Sequence, residues 1–524
     1  MASLKKLFSD SVIYGLSSIV GRFLNYLLVP VYTYHISAAS GGYGVVTNIY
    51  AYTALLLVIL TFGMETTFFY YSNREERNAT GSAEDRAMYR RRVFCTALGA
   101  VGAVAALFVA LVMLLAGPVS AAMGYADHPE YIRVMACVVA LDAFQAILFA
   151  RLRQDGKAWK FFGLKTGFIV LSVLLTLFVF MVAPGWSHLS WMGWYNEADQ
   201  VGYIFYINLI CTAVVTLGFV KELKDFRLSS FNFQLLKRML QYAWPLLLFG
   251  IVGIFNQVAD KILLPWLLPG EEGHVQLGIY GACVKIAMLM ALITQAFRYA
   301  YEPFVFGMGS RQSGKEPSGR ERQEDKQGKE TQALATKYFV MFTLLAFLTV
   351  MCYIDLFQYF VGADYREALP AVPIVMMAEI LMGVYFNLSF WYKLNGQTWW
   401  GAVMSTVGCA VLVAVNIVFV PKIGYMACAW GGLAGYGVCV LMSYLIGQRK
   451  NPVPYPVGTI AAYFALALAL FAVTRLVQPE ALWARLVVNT AVLLLYVAAA
   501  LYGERRMVAQ AASQIVNRIK KHRK

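Results

Sequence analysis

Apolar runs of about 20 residues, separated by short polar segments, recur from one end of this chain to the other. A bilayer's hydrocarbon core takes a helix of about that length, and uninterrupted runs of this size read as membrane spans rather than buried core helices. Fourteen spans are predicted, at 10–32, 46–70, 93–116, 132–150, 162–183, 200–220, 240–264, 278–306, 338–358, 369–392, 398–419, 424–446, 456–477 and 484–503. The fold class is therefore an all-α polytopic membrane protein. Composition agrees: 60% of the 524 residues are hydrophobic and 14% charged, against about 45–50% and 25% in soluble domains.

The polar segments orient the spans. With the N-terminus in the cytoplasm, and residues near span ends counted with the segment they adjoin, all but nine of the 44 Lys and Arg residues fall on the cytoplasmic side, six fall outside, and three (Arg22, Lys285, Arg298) lie deep within spans. Such an asymmetry fixes both termini inside. The net charge of +15 thus belongs to basic loops and to a tail over 505–524 suited to anionic lipid, and nucleic acid is not expected as a partner. Asn78-Ala79-Thr80 is a glycosylation sequon on the cytoplasmic side and is discounted. The start MASLKKLFSDSVIYG could open a signal peptide, but the run that follows carries Arg22 and leads into another span, so a retained first helix is expected. The stretch WSHLSWMGWY at 186–195 reads as an interfacial aromatic belt.

Enzyme chemistry finds little support. Eight cysteines are scattered singly without a CxxC, so they read as small buried hydrophobes and no metal site is expected. Gly309-x4-Gly314-Lys315 resembles a phosphate-binding loop, yet Glu316 stands where Ser or Thr is required and no strand precedes it. The polar, mixed-charge segment 309–335 reads as a disordered cytoplasmic loop. The longest external loop, 184–199, offers only Glu197, Asp199 and His188. No catalytic residue is assigned.

The chain also resembles itself. A shift of 237 positions carries Tyr43-Gly44 onto Tyr280-Gly281, Glu65 onto Glu302 and Arg74 onto Arg311. A shift of 235 carries Gly15 onto Gly250, Ile19 onto Ile254, Leu28 onto Leu263 and Pro30 onto Pro265, with Asn25 facing Asp260. Two six-helix lobes follow, 1–228 and 229–450, with an appended helix pair over 451–504. Transporters commonly hold their substrate between such repeats.

Ionisable residues inside spans are costly, and by default they face a bundle interior or a watery cavity. Here they are Arg22, Glu65, Asp142, Asp260, Lys261, Lys285, Arg298, Glu302 and Glu379. Arg298 and Glu302 are four apart and share a helix face. Arg22, Lys285 and Arg298, with Asn25 on a face similar to that of Arg22, make the interior attractive to an anion, since arginine forks match phosphate oxygens and lysine acts as a point charge. Glu65, Asp142, Asp260, Glu302 and Glu379 are the candidates for ion coupling or gating.

The opening SVIYGLSSIVGRFLNYLLVPVYTYHI and the following YGVVTNIYAYTALLLVILTFGMETTFFYY resemble bacterial polysaccharide flippases of the O-antigen translocase type. ARLRQDGKAWKF and YAWPLLLFGIVGIFNQVADKILL are similar to the same group. Its superfamily also holds multidrug and toxin extrusion transporters and lipid II flippases. The resemblance covers nearly the whole chain and implies two helical bundles, alternating access and an inner-membrane location. The implied cargo is an undecaprenyl-pyrophosphate-linked oligosaccharide moved to the external leaflet. The polysaccharide polymerase machinery is an implied partner. No cofactor is implied, and a proton or sodium gradient is the implied energy source. Arg22 and Arg298 would then hold the pyrophosphate or an acidic sugar, with Glu65 and Asp260 coupling ions. Fourteen spans exceed the twelve common in this superfamily and match the lipid II flippases, which keeps lipid II, and drug export, as rival cargoes.

Overall fold

A computed structural model describes residues 26–78, 83–188, 190–309 and 319–505. Helices make up 88% of it, and no strand occurs among the described residues. In hydrocarbon every backbone N–H and C=O must be satisfied within the segment, so a chain of long apolar runs has no other option. The helices are α1 (Val29–His35), α2 (Gly42–Thr61), α3 (Met64–Asn78), α4 (Ala83–Ala122), α5 (Pro129–Gln154), α6 (Ala158–Leu177), α7 (Gln200–Leu217), α8 (Phe233–Leu267), α9 (Glu272–Gly309), α10 (Gly319–Cys352), α11 (Val372–Leu388), α12 (Trp399–Ile423), α13 (Tyr425–Lys450), α14 (Val457–Leu476) and α15 (Leu482–Gly503).

Among the described residues, 13 helical stretches are long and apolar enough to cross a membrane, and each overlaps one predicted span. The remaining predicted span, 10–32, lies mostly outside the described residues. Two local readings need correction. The second span is not one helix: α2 ends at Phe62 (φ 53°) and Gly63 (φ 66°), and α3 starts directly after. Left-handed backbone at a phenylalanine costs roughly 1–2 kcal/mol, so tertiary packing holds this break. The segment 309–335, read as disordered, is helical from Gly319 onward as the start of α10. Lys326 and Glu330 are an oppositely charged i,i+4 pair there, which favours helix, and the apolar part of α10 continues the same hydrogen-bond ladder.

The chain packs as two compact units. The first comprises Met1–Lys285, Val361–Ala371 and Ala402–Gly435. Within it α5 packs on α2, α4, α6 and α7, while α8 packs on α2 and α3. Leu60, Met64, Phe68, Phe94, Ile147 and Phe219 form an apolar core at one end. Val31, Ile49, Tyr125, Met135, Tyr203 and Phe205 form another at the opposite end. α6 runs on through a π-helical turn at Phe178–Val182, whose Phe180 ring meets Tyr32 and His35 of α1 edge-on.

The second unit comprises Ile286–Phe360, Val372–Gly401 and Tyr436–Lys524. In it α10 is the hub, packing on α11, α14 and α15. The appended pair α14–α15 is tied to α10 near both ends. At one end Arg485 donates to both carboxylate oxygens of Asp355, at 3.1 and 3.2 Å. At the other, Glu504 accepts from Lys337 Nζ at 2.7 Å and from Tyr338 Oη at 2.9 Å. Asn489 and Tyr496 donate to the carbonyls of Cys352 and Met341 between them.

Candidate functional site

The charged residues singled out from sequence fall into distinct surroundings. Arg22 and Asn25 lie outside the described residues, as does the side chain of Glu302. Glu65 is in the first turn of α3, immediately after the Phe62-Gly63 break. Free N–H groups and the helix dipole favour a carboxylate there, and Glu65 also accepts a hydrogen bond from Arg153 at the end of α5. The Arg153 guanidinium lies 5.2 Å from the centre of the Phe69 ring. Glu65 thus ties the break in one span to the end of another.

Asp142, on α5, faces Lys165, on α6, and the two attract one another. They do not form a direct ion pair: neither side chain has a hydrogen-bond partner among the described residues. Lys165 Nζ instead sits 4.1 Å from the centre of the Phe149 ring, a cation–π geometry. Beyond Asp142, Tyr50 of α2 accepts from Asn208 Nδ2 at 2.8 Å, and Gln145 donates to Thr216 Oγ1 at 2.7 Å and to the Thr212 carbonyl at 2.9 Å. A polar interior therefore runs through the α2, α5, α6 and α7 bundle.

Asp260, at 8% exposure, is already occupied. Its oxygens accept from Lys261 Nζ at 3.0 and 3.1 Å, and Tyr280 Oη donates to Oδ2 at 3.1 Å. Lys285 on α9 is half-buried, and the charge of Lys261 acts on it. Arg298 lies over the Phe386 ring at 5.1 Å, and Glu379 is half-buried on α11. The predicted charges are thus dispersed: Glu65 and Asp142 share the electrostatic neighbourhood of Lys165 and Arg153, and Asp260 and Lys285 share that of Lys261.

The strongest feature of the first unit is a seam that sequence reading found only in part. The first turns of α2 and α9 meet at backbone distance. A Cβ added at Gly278 would lie 3.0 Å from Gly44 N, and one added at Gly281 would lie 3.0 Å from the Thr47 side chain. The 237-residue shift carries Gly41 onto Gly278 and Gly44 onto Gly281, so glycines from one repeat pack against glycines from the other. Small residues that let helices approach closely are the usual basis of tight packing in membranes. Polar bonds flank the seam. Asn48 Nδ2 donates to the Lys261 carbonyl at 2.7 Å, and Tyr125 Oη donates to Asn48 Oδ1 at 2.5 Å. Gly362 N donates to Thr33 Oγ1 at 3.1 Å, and Tyr365 Oη donates to the Ile36 carbonyl at 2.9 Å.

A further charged cluster at the opposite end of the same bundle also escaped the sequence reading. Glu222, 3% exposed, accepts from Lys160 at 2.5 Å and lies 3.6 Å from Lys157. Burial by itself would raise its pKa, but the Lys160 hydrogen bond and the two ammonium charges hold it below the ordinary carboxylate value.

The chain matches no protein-family profile and no curated protein by sequence. Solved structures share its fold. An inward closed conformation of the lipid II flippase MurJ superposes with a TM-score of 0.68 at 12% identity, covering 95% of this chain and 100% of that one. An inward-facing multidrug resistance MATE transporter of the MOP superfamily gives 0.64 at 15% identity, over 82% of this chain and 94% of that one. The MATE multidrug transporter DinF-BH gives 0.57 at 15% identity, over 86% and 96%. The chain has the fold of these solved transporters.

Proposed function

We propose that this protein is an alternating-access transporter of the bacterial inner membrane. Its cargo on this reading is an undecaprenyl-pyrophosphate-linked oligosaccharide, carried from the cytoplasmic to the external leaflet. The observation that carries the reading is the fold shared with a lipid II flippase over 95% of the chain, together with ionisable side chains inside its spans. The sequence phrases of the first two spans favour an oligosaccharide over lipid II. Lipid II is the second reading, favoured by the fourteen-span count.

On this reading the two repeats are lobes related by an axis along the membrane normal, and both termini are cytoplasmic. The start of α2 then lies at the external face, so the glycine seam closes that face. Arg22, Asn25, Lys285 and Arg298 are the proposed contacts for the pyrophosphate and the first sugar. Of the acids, Asp142 is the best placed to bind a coupling proton or sodium ion, because no hydrogen bond occupies it. Glu65 holds the α2–α3 break through Arg153, a gating position, while Asp260 is neutralised by Lys261. Glu302 and Glu379 stay candidates for gating in the second repeat.

The test is flipping of a short undecaprenyl-pyrophosphate-linked glycan by the full chain in proteoliposomes. Arg22→Ala is expected to abolish flipping and Arg22→Lys to retain part of it. Full activity of the alanine variant at normal expression would remove Arg22 from the site.

A further inference from the structure

Asp142, half-buried on α5, and Lys165, exposed on α6, present opposite charges to one another, yet each lacks a hydrogen-bond partner among the described residues. This pair stays open. Lys165 rests on Phe149 and keeps its three N–H donors available, and its side chain remains accessible. A second cation stands beside it. Arg153 lies over Phe161 at 6.0 Å, the Phe161 ring is 5.1 Å from that of Phe149, and Arg153 and Lys165 repel one another. Arg153 spends one nitrogen on Glu65 while its Nε is buried without an acceptor.

We infer that Lys165 and Arg153 form an anion site for a phosphate group, with Asp142 as the built-in competitor for Lys165. The charge balance supports this. Glu65 already neutralises Arg153, so the unspent charges are Lys165 and Asp142, with Tyr50 the other titratable group facing Asp142. A phosphate entering next to Lys165 gains charge-assisted hydrogen bonds from its ammonium and from Arg153 Nε. It must also overcome repulsion from Asp142. Neutralising Asp142 therefore strengthens anion binding, and removing Lys165 weakens it. The inference deepens the transport reading above and rests on it for the identity of the lipid, though not for the anion chemistry.

The experiment is a titration of the purified full-length protein with undecaprenyl pyrophosphate and, separately, inorganic pyrophosphate, followed by native mass spectrometry. Lys165→Ala is expected to weaken binding about tenfold or more, the usual effect of losing a hydrogen bond to a charged group. Lys165→Arg should keep most of the affinity, and Asp142→Asn should raise it severalfold. Equal binding by all four proteins would overturn the site and leave Asp142–Lys165 as an inert structural pair, while lipid binding would still uphold the transport reading. Lys165-dependent binding of inorganic pyrophosphate without any binding of the lipid would support the site and overturn the proposed cargo. Since Lys165→Ala leaves Asp142 uncompensated, Asp142→Asn serves as the arm that does not depend on that variant folding.

Discussion

The glycine seam makes a quantitative demand. A Cβ at position 44 would stand 2.7 Å from the His274 carbonyl carbon and 3.0 Å from Gly278 N. Both atoms are backbone, so no side chain can rotate away. Overpacking of this kind costs about 1–3 kcal/mol, and here the strain exists only while α2 and α9 are together. The better helix propensity of alanine, about 1 kcal/mol, applies in both states and cancels. Gly44→Ala should therefore shift the balance away from the closed seam by about 2 kcal/mol, roughly a 30-fold change in population. Hydrogen exchange with mass spectrometry reads this directly: amides at the starts of α2 and α9 should exchange faster in Gly44→Ala. Gly437→Ala is the control, because a Cβ there meets only Leu381 Cδ1 at 3.9 Å. Unchanged exchange at 42–48 and 272–281 in a well-folded Gly44→Ala protein would refute the view that this contact holds the face closed.

Other predictions concern charge. Glu222 has a depressed pKa, so its contribution to stability is in place above the ordinary carboxylate value of 4.5 and is lost as the pH falls through its folded value. Thermal unfolding of wild type in detergent should show an acid-side loss that Glu222→Gln lacks, the variant being less stable at pH 7 and its deficit shrinking below pH 4.5. Lys337 and Glu504 have side chains only 9% and 15% exposed, so a double-mutant cycle on unfolding should give a coupling of about 1–3 kcal/mol. A coupling near zero would mean that the remaining contacts, the Arg485–Asp355 pair and the Asn489 and Tyr496 hydrogen bonds among them, fix α15 without this pair. Glu65→Gln keeps a hydrogen-bond acceptor for Arg153 but loses the charge. Transport should slow while its pH dependence persists, whereas Asp142→Asn should remove that dependence.

Much of the architecture was legible because hydrophobic length is a local property. Thirteen predicted spans overlap helices in the described residues, with ends displaced mainly where a helix continues into polar sequence, as α10 does from Gly319. The break at Phe62-Gly63 was not legible, since a phenylalanine in an apolar run gives no sign of a left-handed backbone. The interior carboxylates were visible as exceptions to hydropathy, but their partners were not. Glu65 meets Arg153, 88 positions away, and no periodicity links them. Lys165, three residues into the predicted span 162–183, was not singled out, although its charge acts on Asp142 in the fold. Half of the seam could be read in the Tyr-Gly repeat. Its other half, Gly41 onto Gly278, gains meaning only when the two helices are seen to touch.

The central claim is the cargo. It is tested most directly by depleting the protein in its host and identifying by mass spectrometry which undecaprenyl-linked species accumulates. The account predicts build-up of a pyrophosphate-linked oligosaccharide with the peptidoglycan precursor unchanged. Accumulation of lipid II, or of no lipid intermediate at all, would contradict it.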